Sequence, residues 1–179
     1  MNELEKLIEQ NTLVSISRDD VDAEQLTGHV IQVSERLIVM RLCTDEGKFD
    51  GFTLFPLDQI TEVCWGNREH RCISVLVEEK VASIPKLNLS SFESALSDLG
   101  ERFKALAFME NGNERKFYVA SVTAIDGDWI KLECLGTKKT LSNLTKIIST
   151  TGFSRIEFDS PYIRNCVSLH LKKSQGELE

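Results

Sequence analysis

No stretch of the chain approaches eighteen uninterrupted apolar residues, which excludes a membrane-spanning helix. The opening MNELEKLIEQN has acidic residues where a secretory leader needs a basic flank and an apolar run, so the expectation is a cytoplasmic protein without membrane contact. Also missing are the glycine-rich turns that cradle phosphates, Gly-x4-Gly-Lys-[Ser/Thr] and Gly-x-Gly-x-x-Gly, and the Gly-x-Ser-x-Gly elbow of an activated serine. Histidine is scarce, with only His29, His70 and His170. Cys43, Cys64, Cys72, Cys134 and Cys166 are odd in number and scattered through apolar stretches, which argues for reduced, mostly buried thiols rather than a disulfide framework. Burial raises a thiol pKa and so removes nucleophilicity. Neither an enzyme nor a cofactor carrier is expected.

What is present is the composition of a folded globular protein, 41% hydrophobic and 27% charged. The net charge of -7 is unevenly placed: residues 1–90 hold 16 acidic and 9 basic side chains, residues 91–179 hold 12 and 12. A negative field over the first half repels phosphate backbones and attracts basic surfaces, so a protein partner is favoured over nucleic acid.

Residues 2–10 place Leu4, Leu7 and Ile8 at helical spacing. The period then changes. LVSIS (13–17), GHVIQVS (28–34), LIVMRLC (37–43), GFTLF (51–55) and ITEVCW (60–65) are short runs rich in β-branched and aromatic residues, separated by polar turns, and predict five strands. Ser90 and Glu93 fit a capping box, with Phe92, Leu96 and Leu99 on one face of a second helix. A second strand series follows at 106–109, 116–125, 129–135, more weakly near 140–149, and at 153–158.

The second series echoes the first. At an offset of 93, TLVSI lies over ALAFM, and Val63, Trp65, Arg71 and Leu76 lie over Ile156, Phe158, Arg164 and Leu169; with small gaps Val30 and Val33 pair with Val119 and Val122. Two copies of one unit are expected, with a boundary near 80–88, giving residues 1–85 and 86–179. Five short strands in so short a unit bury their inner face most readily as a small barrel.

A helix followed by five short strands resembles the Sm-like fold, a small barrel of the SH3 type. The first Sm motif, Gly-x-apolar, an apolar residue three further on, then Asp-x-x-Met-Asn, is matched by Gly28, Val30, Val33, Ser34, Leu37 and Ile38. The Asp and Asn that in the family help hold an RNA base are replaced by Ser34 and Ile38. The basic-glycine pair of the second motif has no counterpart in GFTLFPLDQI, and the second copy's hairpin, YVASVTAIDGDWIKL, lacks the glycine. The resemblance implies a fold and withholds the RNA pocket. The expected architecture is mainly β with short helices, as two tandem Sm-like or SH3-like antiparallel barrels, each preceded by a helix.

Cys64-x5-His70-x-Cys72 brings three metal-ligand types together, with Cys43 or His29 as a conceivable fourth. It is not a close zinc knuckle. The second copy replaces the three with Glu157, Ile163 and Asn165, keeping only the apolar pair and the arginine, so strand packing is the preferred reading and no metal is expected. RDDVDAE supplies Asp19, Asp20, Asp22 and Glu24 to one expected loop, and TDEGKFDG supplies Asp45, Glu46 and Asp50 to another; in a meander these seven carboxylates can form one acidic rim. Neither loop has the ligand frame of a calcium-binding loop. Arg115, Lys116, Lys138 and Lys139 stand at turns of the second copy.

The function these features favour is non-catalytic protein binding, and its most concrete form is an immunity or inhibitor protein that neutralises a basic nuclease toxin. The acidic rim would steer association, and Phe49, Phe52 and Tyr162 are the candidate anchors. The alternatives are an Sm-like RNA-binding or ribonucleoprotein assembly factor using the basic turns, and a structural subunit assembling through barrel edges by strand addition.

Overall fold

Short runs of β-branched and other apolar residues, several of them buried on both faces, build ten strands, and a computed structural model describes them within residues 2–77, 86–135 and 144–174. In chain order these are α1 (Asn2–Glu9), β1 (Leu13–Arg18), β2 (Asp22–Val33), β3 (Leu37–Cys43), β4 (Phe49–Pro56), β5 (Glu62–Trp65) and α2 (Arg68–Leu76), followed by α3 (Phe92–Arg102), β6 (Leu106–Glu110), β7 (Asn113–Asp126), β8 (Trp129–Cys134), β9 (Leu144–Ser149), β10 (Phe153–Phe158) and α4 (Pro161–Ser174). The protein is therefore mainly β, with four α-helices among the described residues. The repeat extends to the helices: Leu13 and Leu106 open equivalent strands and Arg68 and Pro161 open equivalent helices, each pair 93 residues apart.

The strands form one open antiparallel sheet in the order β5-β1-β2-β3-β4-β10-β6-β7-β8-β9. Each half thus has the order fifth-first-second-third-fourth. The sequence predicts two separate barrels, but β4 does not return to its own fifth strand; its outer edge is taken by the fifth strand of the other half. Leu54 faces Ile156, Thr53 faces Glu157 and Phe52 faces Phe158 across this junction. The exchange is possible because the two halves present equivalent edges, and backbone pairing does not distinguish one from the other.

The cores follow the same plan. One face of β3 and β4 contributes Ile38, Met40 and Phe55 to a cluster with Leu7, Val14, Ile16 and Val30 within the first half. The opposite face contributes Leu37, Val39, Phe52 and Leu54 to the cluster that fills the second half, with Leu96, Leu99, Phe108, Ile130, Ile156 and Phe158. The expected boundary at 80–88 falls largely on residues 78–85, outside the described residues; the hydrophobic cluster itself draws on both halves.

Local chemistry sets the helix ends. Ser91 caps α3 by accepting the Ser94 N–H at 3.1 Å. The sequence places the cap at Ser90, one residue earlier; there the Ser90 N–H bonds Asn88 Oδ1 at 3.1 Å and its hydroxyl faces Ser94 Oγ at 3.4 Å. At Gly28 a side chain is excluded by close approach, since a Cβ there would lie 2.0 Å from the Arg41 carbonyl oxygen on β3.

Candidate protein-binding surfaces

The stretch Glu62–Cys72 folds as a strand, a left-handed residue, a cap and a helix. Gly66 has φ 78, and Asp159, its equivalent, has φ 58. Asn67 then accepts the His70 N–H at 2.8 Å, and the equivalent Ser160 accepts the Ile163 N–H at 3.2 Å, each capping its helix. His70 Nε2 is bonded at 3.0 Å to Ser15 Oγ, which meets Thr27 Oγ1 at 2.8 Å. His29 donates to the Asn11 carbonyl at 3.2 Å, and burial lowers its pKa, with Arg41 adding to the effect. Cys43 is buried, Cys64 is half-buried and Cys72 is exposed. Among the described residues no three His, Cys, Asp or Glu side chains are grouped to hold a metal ion. The conserved-looking arginines do different things: Arg71 reaches the Asn67 carbonyl at 3.3 Å, while Arg164 grips both oxygens of Asp159 at 2.8 and 2.7 Å.

Val63 and Trp65 read in sequence as inward core residues, and here the two halves diverge. Ile156 and Phe158 are fully buried, whereas Trp65 is 46% exposed. The cause is the neighbouring strand. β10 lies between β4 and β6, but among the described residues nothing pairs with the outer side of β5. Trp65 and Val63 instead line an apolar groove of about 290 Å³ with Leu4, Leu7, Leu57 and Ile60, on the open side of the first-half core. At the other end of the sheet, among the described residues, nothing pairs with the outer side of β9 either. On its outer face and that of β8, Ile147 is 66% exposed and Trp129 is 56% exposed.

The seven carboxylates occupy more than one place. Asp22 and Glu24 lie on β2 and Asp50 on β4 rather than in loops, because the polar first part of β2 extends the ladder, with Arg18 opposite Asp22. Glu24, Asp45 and Asp50 share a groove of about 310 Å³ with Arg155 and Glu157. Glu46 is exposed and paired with Lys48. Asp19 accepts from Thr61 Oγ1 at 2.8 Å, and Asp20 lines a separate groove with Glu35, Asp58 and Phe92. Burial pushes the Asp50 carboxyl above the ordinary carboxylate range, with the pull of Arg155 opposing it and repulsion from Glu24 adding to it.

Of the candidate anchors, Phe52 is a core residue stacked on Phe158 at 5.4 Å and leaves no face for a partner. Phe49 is half-buried, edge-on to Phe52 at 5.1 Å, with the guanidinium groups of Arg41 and Arg164 at 5.9 and 5.8 Å from its ring. Tyr162 is exposed and rests edge-on against Phe117 at 5.7 Å. Lys138 and Lys139 lie outside the described residues, as do the side chains of Arg115 and Lys116. At the Sm-like motif Ile38 is buried in the core, and Ser34 Oγ accepts the Arg36 and Leu37 N–H groups at 3.3 and 3.1 Å, closing the β2–β3 turn. Sequence reasoning offered assembly through barrel edges only as an alternative and singled out neither Trp65 nor Ile147, the exposed apolar residues of the strands that end the sheet among the described residues. Compared with family models, curated proteins and solved structures, the chain matches none.

Proposed function

We propose that the chain is a non-catalytic protein-binding subunit, built as two tandem Sm-like units and working through its open sheet edges. The supporting observation is the pairing of an unsatisfied strand edge with exposed apolar surface at both ends: β5 beside the groove of Leu4, Leu7, Ile60, Val63 and Trp65, and β9 beside Ile147 and Trp129. An edge strand offers a row of free N–H and C=O groups, and proteins that do not use such an edge normally blunt it. An added strand supplies backbone hydrogen bonds, and alternate side chains entering the groove supply specificity. Of the chain's two tryptophans Trp65 lies on the edge strand β5 and Trp129 on β8, next to the edge strand β9, so Trp65 reports occupancy of its edge directly. Titrating the protein with a peptide of residues 144–152 is expected to shift the Trp65 emission to the blue and to slow amide exchange in Glu62–Trp65. An emission maximum and exchange rates unmoved by saturating peptide would remove the strand-addition reading.

A second reading, the inhibitor that covers a basic nuclease, is supported by the Glu24, Asp45 and Asp50 groove. There Asp50 ionises against the cost of burial and against Glu24, an expense that a bound cationic side chain would repay. Because the folded protein holds the Asp50 proton more tightly than the unfolded chain, its contribution is fully present below the unfolded pKa near 3.8 and is lost as pH rises through the folded pKa. Replacing Asp50 by asparagine is therefore expected to raise the melting temperature at pH 7, with the gain vanishing below about pH 3.8. Melting curves that coincide at pH 7 would take away this reading's support.

A further inference from the structure

Resting on the strand-addition reading, we infer that the occupant of each open edge is a second copy of this chain, joined head to tail, with β9 of one copy pairing with β5 of the next. The argument is the internal junction. Within one chain the outer face of β3 and β4, carrying Leu37, Val39, Phe52 and Leu54, plugs the open side of the second-half core, where Ile156 and Phe158 receive it.

Each side of that junction has an equivalent left uncovered. On the receiving side, Ile60, Val63 and Trp65 stand where Phe153, Ile156 and Phe158 stand 93 residues later. The latter three are buried, while the former line the open apolar groove. On the inserting side, Ile147 stands 93 residues after Leu54. The cross-strand pairing of Trp129 with Ser149 repeats that of Leu37 with Pro56, so Trp129 takes the place of Leu37. Leu37 and Leu54 are buried beneath the second half, whereas Trp129 and Ile147, on the matching face of β8 and β9, are exposed. Lys131 and Thr145 take the places of Val39 and Phe52, so the chain carries one interface made internally and two halves left open that keep its receiving side and, at Trp129 and Ile147, two of its four inserting apolar positions. The charges are mixed: Lys131 sits opposite Ile147 and Glu133 opposite Thr145 on the inserting face, while Glu3 and Glu62 border the receiving groove and strand.

The register follows from the same equivalence. Leu54 opposite Ile156, Thr53 opposite Glu157 and Phe52 opposite Phe158 become Ile147 opposite Val63, Lys146 opposite Cys64 and Thr145 opposite Trp65 of the neighbouring copy. Such a contact joins two different surfaces, so it propagates from copy to copy and ends in a closed ring or a filament.

The register provides its own test, because Cys64 is native and half-buried. In a Cys72→Ser background, which removes the exposed thiol, Lys146→Cys is expected to give a ladder of disulfide-linked multimers under a mild oxidant, lost on reduction. Adding Cys64→Ser should abolish the ladder. Since Lys146 lies against the Tyr118 ring at 3.3 Å, Thr145→Cys and the fully exposed-face change Ile147→Asp serve as second variants: the first should cross-link less than Lys146→Cys, and the second should dissociate the unmodified assembly with its circular dichroism unchanged. A ladder that persists without Cys64, or a folded protein that never cross-links, overturns the inference. If the peptide of residues 144–152 still protects β5 in that second case, strand addition stands and only self-association falls; if the peptide also fails, both fall together.

Discussion

Replacing Phe158 by alanine is expected to cost about 3–5 kcal/mol of folding stability, the range for truncating a buried phenylalanine. Phe158 is fully buried and touches both halves: it stacks on Phe52 of β4 at 5.4 Å with 18° between the rings, and meets Phe103 at 5.2 Å. The cavity would open beneath β4, beside the strand pairing that continues the sheet from one repeat to the other. A loss of this size is a large part of the stability of a typical domain, about 5–15 kcal/mol. If the sheet unfolds as one unit, native-state hydrogen exchange should accelerate by about two to three and a half orders of magnitude in slow amides of both β2–β3 and β7–β8, since each 1.4 kcal/mol is tenfold. Acceleration confined to β7–β8 would mean that the halves are independent and that the β4–β10 junction carries little energy.

The core shared between the two halves was not readable from the residues, though much of the architecture was. The strands with dense β-branched and apolar residues, LIVMRLC above all, appear with the bounds their pattern suggests, as β3 does over Leu37–Cys43. β2 is longer than its apolar run because Asp22–Gln25 joins the ladder through the backbone, which needs no apolar side chain. The helices α2 and α4 were hidden by apolar runs such as ISVL, which suit a buried strand as well as a helix. The clearer signals were Gly66–Asn67 and Asp159–Ser160–Pro161: a left-handed residue, a cap, and in the second case a proline at the first helical position.

The repeat was legible because it is a matter of pattern, and the partner of each edge was not, because backbone pairing leaves no trace in side-chain type. Trp65 and Phe158 occupy equivalent positions and carry similar side chains, yet one is half-exposed and the other wholly buried. Only the sheet order separates them. The same limit applies to the acidic residues. Charge counting placed seven carboxylates at one rim; in the fold Glu24, Asp45 and Asp50 share a groove, Asp20 lines another, and Asp19 is held by Thr61.

The second large effect concerns mass. If Trp65 on β5, and Ile147 with Trp129 on β9 and β8, are two halves of one interface, the protein at high concentration has most of this exposed apolar surface covered by neighbouring copies. Each added copy would bring Trp129 and Ile147 to Val63 and Trp65 as Leu37 and Leu54 meet Ile156 and Phe158, with Lys131 and Thr145 in the places of Val39 and Phe52, a more polar contact than the internal junction. The same exposed residues would give a dissociated chain red-shifted tryptophan emission and a tendency to aggregate. Association and emission should therefore move together on dilution, and Ile147→Asp should hold the protein in the dissociated state.

Sedimentation equilibrium of the unmodified protein, read alongside its tryptophan emission, tests the central claim most directly. The expected result is a mass that is a multiple of the 20.2 kDa chain at high concentration, falling on dilution as the emission shifts to the red. A mass of 20.2 kDa at every concentration, with emission that never moves, would contradict it.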